Sequence, residues 1–238
     1  MNKDIYTIGY AGKSLNEFLK CLKKFNIHYL IDIRTSPRSK TFPDYDKDCL
    51  SSFLLKNKIR YVFLGKEFGA RRKEDNVYEY TFSIKGQDRE QVIFNNVYKL
   101  DTFKECVSAV MNVIASGYNI CFMCSEKEPV DCHRFWMVAY FFEKVLNVGF
   151  KSINIIDFNK TKSFDEVVAD LKFDQTKNAF LKEHEFEIEG YGLFGFKKRL
   201  WISWWADFYL NKRINEIEKI HLFANYLIGY IKGEEEYD

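Results

Sequence analysis

Tyr118-Asn119-Ile120-Cys121-Phe122-Met123-Cys124 is the stretch on which the reading of the fold turns. It is nearly all apolar and has the length of one strand. It gives way at once to the polar run Ser125-Glu126-Lys127-Glu128. A strand apolar on both sides must be covered on both sides, as the central strand of a parallel sheet is. Residues 132–147 follow as a helix apolar on most sides, and Lys151 to Phe158 as a further strand.

The same alternation runs back towards the N-terminus. Ile5 to Ile8 is a short β-rich run ended by Gly9. Ser14-Leu15-Asn16-Glu17 has the form of a capping box, in which hydroxyl and carboxylate satisfy free amides at a helix start. Leu15, Phe18, Leu19, Leu22 and Phe25 then recur at helical spacing. Tyr29 to Ile33 reads as a strand, residues 47–57 as a helix and Arg60 to Leu64 as a strand. Residues 99–116 read as a helix with Phe103, Val107, Val110 and Ile114 on one face. Between these, residues 65–98 have weak periodicity and many charges, so they are expected to be a functional loop or to hold short helices.

These elements predict an α/β domain over residues 1–160: a mostly parallel sheet of about five strands with helices on both faces. Ligands of such folds bind at the carboxyl ends of the strands. After Lys160 the pattern changes. Ser163-Phe164-Asp165-Glu166 offers a second capping box, and Trp201, Trp204, Trp205 and Phe208 sit at helical spacing. Residues 161–238 are read as a mainly helical C-terminal extension packing on the first domain or on a partner. Its Trp-rich helix is a candidate homodimer surface.

With 47% hydrophobic and 29% charged residues the 238-residue chain is neither disordered nor fibrous. The net charge of +2 names no partner, but residues 1–75 hold 16 basic against 9 acidic side chains. That asymmetry points to a local anion site. No run of about 18 apolar residues exists, so no membrane-spanning helix is expected. The six cysteines show no disulfide-scaffold spacing and the first residues show no signal-peptide core, so free thiols in a reducing cytoplasm are expected.

Three loops carry candidate chemistry. In Cys124-Ser125-Glu126-Lys127-Glu128-Pro129-Val130-Asp131-Cys132-His133-Arg134, Cys124 ends the buried strand and Asp131 is placed to cap the next helix. Cys132, His133 and Arg134 would then share a first turn, where free amides and a guanidinium favour anions and lower a thiol's pKa. Cys124 is the expected reactive thiol, with Cys132 as its alternative and as a substrate contact. His133 or Glu126 would carry the proton. The bland alternative is a pair of inert buried cysteines, with Arg134 paired to Asp32.

Asp32-Ile33-Arg34-Thr35-Ser36-Pro37-Arg38-Ser39-Lys40 places a carboxylate in an apolar strand end, which is costly without a partner. Asp32 is read as an orienting acid or base, and Arg34, Arg38 and Ser39 as anion contacts, against an ordinary ion pair in a surface loop. In Gly65-Lys66-Glu67-Phe68-Gly69-Ala70-Arg71 the glycines would permit close approach of a ligand, with Arg71 as a further contact.

Other motifs fall short. Gly9-Tyr10-Ala11-Gly12-Lys13-Ser14 is too short for a phosphate-wrapping loop. Cys124, Cys132 and His133 give at most three zinc ligands, and adjacent Cys132 and His133 are expected to point in different directions, so no metal is expected. No dinucleotide fingerprint is present, and no cofactor is expected.

Taken together, Thr7-Ile8-Gly9-Tyr10, Ser14, Phe18, Asp32-Ile33-Arg34, Pro37-Arg38-Ser39, Phe42, Phe68-Gly69-Ala70-Arg71, Cys124-Ser125-Glu126 and Cys132-His133-Arg134 resemble the family of bacterial and archaeal proteins called domain of unknown function 488. The resemblance covers roughly residues 4–157. It implies an α/β fold with these motifs gathered at one site, and it implies no reaction. The residues themselves suggest an enzyme acting on a phosphate-bearing substrate, such as a nucleotide or nucleic acid. The alternative is a non-catalytic nucleotide or nucleic-acid binding module with structural cysteines. A metal-dependent hydrolase using Cys132, His133 and carboxylates is a third reading.

Overall fold

A computed structural model describes residues 4–84 and 87–177. In chain order the elements are β1 (Asp4–Gly9), α1 (Leu15–Lys24), β2 (Tyr29–Asp32), α2 (Lys47–Lys56), β3 (Arg60–Phe63), β4 (Tyr78–Ile84), β5 (Gln87–Val92), α3 (Phe94–Val97), α4 (Asp101–Ala115), β6 (Ile120–Cys124), two consecutive π-helical segments (Arg134–Ala139 and Phe141–Val145), β7 (Lys151–Ile155), β8 (Thr161–Ser163) and α5 (Phe164–Lys177). They fall in two compact units. Of the described residues, one unit holds those up to Arg71 and from Leu100 through α5, and the other those between Arg72 and Lys99.

The first unit is built on a six-stranded sheet in the order β3-β2-β6-β1-β7-β8. The pairs from β3 to β7 are parallel, and β8 pairs antiparallel with β7. The sheet therefore continues beyond Lys160 by one strand more than the alternation predicts. Strand β6 lies between β1 and β2 and is buried along its whole length, as its apolar sequence demands.

Side-chain alternation divides the core. Tyr6, Ile8, Leu30, Cys121 and Met123 face one way, packing with Phe18, Cys21 and Leu22 of α1 and Leu50 and Leu54 of α2. On the other side Phe122 meets Phe68 and Phe142, and Phe68 and Phe141 both pack edge-on against Phe103 of α4. Both expected capping boxes form. Ser14 Oγ accepts from the Glu17 amide while Glu17 accepts from the Ser14 amide at 2.8 Å, and Ser163 with Glu166 repeats the exchange at the start of α5.

The second unit departs from the expectation for residues 65–98. Here β4 and β5 form an antiparallel hairpin with a register shift between Tyr80 and Phe82, followed by the one-turn helix α3. Residues 178–238 lie outside the described residues, and with them the Trp201 stripe and most of the expected helical extension. Among the described residues no helix is long and apolar enough to cross a membrane.

Candidate functional site

Parallel pairing brings the carboxyl ends of β1, β6 and β2 side by side. The Tyr10 amide bonds the Cys124 carbonyl at 3.2 Å, Ala11 bonds Ser125 at 3.0 Å, and Ile33 bonds Met123 at 3.1 Å. The loop leaving β6 crosses directly over Gly9, where a methyl group would overlap the Glu126 carbonyl. Glycine at position 9 is thus a requirement of this crossing, a role that its place as a strand terminator does not reveal.

Cys124 through His133 forms a compact polar cluster. Cys124 and Cys132 are almost fully buried, while Ser125, Glu126 and His133 reach part-way to solvent. Cys124 Sγ and Cys132 Sγ lie 3.9 and 3.8 Å from His133 Nδ1. The three atoms all lie within 4.8 Å of one another. Glu126 Oε2 is 3.0 Å from Cys132 Sγ, and Oε1 accepts from Ser125 Oγ at 2.9 Å. His133 Nε2 is 3.0 Å from the Ile33 carbonyl. A carbonyl only accepts, so Nε2 carries a proton, and Nδ1 is the ring nitrogen that faces the sulfurs.

Cys132 and His133 do not diverge as adjacency suggests. Cys132 is extended (φ −136°, ψ 141°) and His133 is helical (φ −61°, ψ −20°). The backbone turns between them, and both side chains reach the same point. Asp131 ends a 3-10 turn begun by Pro129, and the wide helix starts at Arg134 with His133 in the cap position. The expected first turn of Cys132, His133 and Arg134 is therefore shifted along the chain by about two residues.

The cluster's protons are redistributed by its neighbours. The hydrogen bond to Cys132, together with burial, pushes the Cys124 thiol well up. Burial also pushes Cys132 up, but the bond from Cys124 and the charges of Arg134 and His133 outweigh it and bring this thiol down to about 6. Burial works against the Glu126 carboxylate too, yet hydrogen bonds from both thiols hold it down at about 2. His133 is lowered by burial and raised more by Cys132 and Glu126, a net rise. The 3.0 Å contact between Cys132 and Glu126 needs a proton on one of its two atoms, because thiolate and carboxylate repel. Geometry and charge thus make Cys132 the more acidic thiol, in place of Cys124.

The arginines read as anion contacts fall into two groups. Arg134 is fully buried; Nη1 donates to the Glu126 carbonyl at 2.7 Å and Nη2 to the Lys127 carbonyl at 3.0 Å, so it clamps the loop of the cluster. Arg34 is 4% exposed and spends its donors on the protein. Its guanidinium meets both oxygens of Asp32 (2.7–3.1 Å), the Tyr10 hydroxyl and the Tyr45 and Pro37 carbonyls. Tyr61 adds a hydroxyl to Asp32 at 2.5 Å, and burial with the Asp32 charge pushes this phenol far up. Arg38 and Arg71 are exposed on the loops after β2 and β3, and the Arg71 amide ties those loops together at Thr35 Oγ1. Ser39 spends its hydroxyl on the Phe42 amide within its own loop.

Asp32 follows Leu30 towards α1 and α2, whereas Cys124 follows Phe122 towards the other face. The Asp32–Arg34 pair and the thiol cluster are therefore neighbours through backbone, linked by His133 to the Ile33 carbonyl. The glycines of the third loop do not open towards a ligand. A side chain at Gly65 would strike the Arg34 carbonyl, and one at Gly69 the Gly65 carbonyl. Tyr10, Tyr45 and Tyr61 complete the Asp32 nest from three separate elements, and no local pattern marks them.

The fold and this cluster define a parallel-sheet α/β domain with thiol, imidazole and carboxylate groups gathered at its carboxyl edge. The chain belongs to the family described as domain of unknown function DUF488, whose model matches residues 14–141. The match takes in β2, β6 and both segments of the cluster. No curated protein and no solved structure matches the chain significantly.

Proposed function

We propose that the chain is an enzyme whose reaction centre is Cys124, Glu126, Cys132 and His133, acting on a phosphate-bearing substrate such as a nucleotide or nucleic acid. The observation that carries this reading is the convergence of two thiols, an imidazole and a half-buried carboxylate at a strand end. Such groups supply nucleophile, general base and general acid within reach of one reacting atom. Arg38 and Arg71, exposed on two loops bonded to each other, are the anion contacts; Arg34 and Arg134 act by holding the frame. The cytoplasm suits its free cysteines. A Trp-rich homodimer surface belongs to the same proposal and lies outside the described residues.

One observation favours the rival reading of a binding module with structural cysteines: both buried arginines bond only the protein itself. The test is calorimetric binding of nucleotides and short single-stranded DNA and RNA, together with mass analysis of the products. The enzyme reading expects turnover that Cys132→Ala abolishes. It also expects affinity that Arg38→Ala with Arg71→Ala weakens at least about tenfold, the scale of a charged hydrogen bond. Binding without turnover establishes the rival, and affinity indifferent to both arginines removes the anion site.

A further inference from the structure

We infer that Cys124 Sγ, Cys132 Sγ and His133 Nδ1, with Glu126 as fourth donor, form a binding site for one thiophilic divalent cation, zinc above all.

The first ground is size. With zinc–sulfur bonds of about 2.3 Å and zinc–nitrogen bonds of about 2.0 Å, the edges of a tetrahedral site come to about 3.5–3.8 Å. The two sulfurs stand 3.9 and 3.8 Å from the same ring nitrogen. That is long for a hydrogen bond between thiol and imidazole, and within about 0.4 Å of the sulfur–nitrogen edge of about 3.5 Å that such a tetrahedron has. Glu126 Oε2 stands beside Cys132 Sγ at 3.0 Å.

The second ground is how the donors are held. A ligating imidazole usually donates its other N–H to a carbonyl, which fixes its tautomer and aim. His133 does this through Nε2 to Ile33, from a neighbouring strand end. The Arg134 amide points at Cys132 Sγ (3.5 Å), and the Arg134 guanidinium fixes the carbonyls of Glu126 and Lys127. Thus His133 is aimed from its far nitrogen, and the loop that carries Glu126 is clamped by Arg134 through its backbone.

The third ground is charge. Two thiolates and the Glu126 carboxylate bring three negative charges; a divalent cation and the Arg134 guanidinium bring three positive ones. Two soft sulfurs and one imidazole favour zinc over magnesium or calcium, which prefer oxygen. Binding displaces the protons that the two thiols and His133 Nδ1 still carry, and these pass to solvent.

This site does not depend on the catalytic reading, since a structural cation would use the same donors. The test uses the full chain, prepared without oxygen. Metal content is measured as purified. The protein is then stripped by a chelator and titrated with cobalt(II), which gives thiolate charge-transfer absorption in the near ultraviolet. The expected result is one equivalent of zinc per chain and a saturable cobalt band. Cys124→Ser and Cys132→Ser should each weaken that band, and Cys49→Ser, at an exposed position of α2, should leave it unchanged. Glu126→Gln should lower the affinity at least about tenfold, as loss of one supporting group typically does. The wild-type measurements decide the matter even where a variant fails to fold. No stoichiometric metal, and no cobalt band while both thiols still react with a thiol reagent, overturn the site. Metal with neither anion binding nor turnover overturns only the enzyme reading.

Discussion

Two polar clusters lie at adjoining strand ends, and they are built on opposite principles. Around Asp32 and Arg34, charges of opposite sign meet and every neighbour completes the pairing: two carboxylate oxygens, two carbonyls and two phenols. Around Cys132, three acids crowd one imidazole, and the contacts hold only if protons are shared among them. The first arrangement has one good state. The second has several, and on the reading proposed above a cation, a proton or a substrate would select among them. Perturbed, proton-sharing groups of the second kind are what reaction centres require, and closed pairs of the first kind supply rigidity.

Asp32→Ala strikes the closed cluster hardest. It strands the Arg34 guanidinium in a site 4% exposed, and loss of one partner of a buried ion pair costs about 3–5 kcal/mol. Urea unfolding of the variant measures this. A loss under about 1 kcal/mol would place the pair among surface-like ion pairs and undo the contrast. Replacing both partners together by apolar residues should recover much of the loss, because the isolated charge is then gone.

Arg134→Ala comes next and tests the frame of the open cluster. Two charged hydrogen bonds to the carbonyls of Glu126 and Lys127 disappear; one such bond is worth about 1.5–3 kcal/mol, and a loss of at least that size is expected. Arg134→Lys keeps the charge and loses the fork, so it should rescue little of that stability. Anion affinity at the rim should survive in either variant. If affinity falls and the melting temperature does not, Arg134 grips a ligand and the assignment of roles to the four arginines is wrong.

The sequence carries these two clusters unequally. The sheet is legible because β6 is apolar throughout and because Ser14–Glu17 and Ser163–Glu166 mark helix starts with local chemistry. The open cluster is legible too, since Cys124, Glu126, Cys132 and His133 lie within one short segment. Its internal geometry is not, because the turn between Cys132 and His133 is a backbone choice imposed from Pro129 and Arg134. The closed cluster is half legible. An acid in an apolar strand end announces a partner, and Arg34 is next but one, but Tyr10, Tyr45 and Tyr61 arrive by strand order and helix packing. The β4–β5 hairpin was hidden by its charges, although Tyr78, Tyr80 and Phe82 alternate with Glu79, Thr81 and Ser83 at the strand period.

The smallest expected effect is the most discriminating. In metal-free protein, Cys132→Ser replaces a buried thiol by a hydroxyl of similar shape that can still donate to Glu126 Oε2. With that bond kept, the cost should stay below about 1–3 kcal/mol, that of an unpartnered buried hydroxyl. Its unfolding free energy should therefore stay well above that of Asp32→Ala. Removing the metal first matters, since a cation bound only to the folded state adds its own linkage term to the wild type and not to the variant. If the stripped Cys132→Ser protein unfolds as readily as Asp32→Ala, the thiol holds the fold together as the ion pair does. The two clusters would then be one structural device, and neither would be free to do chemistry.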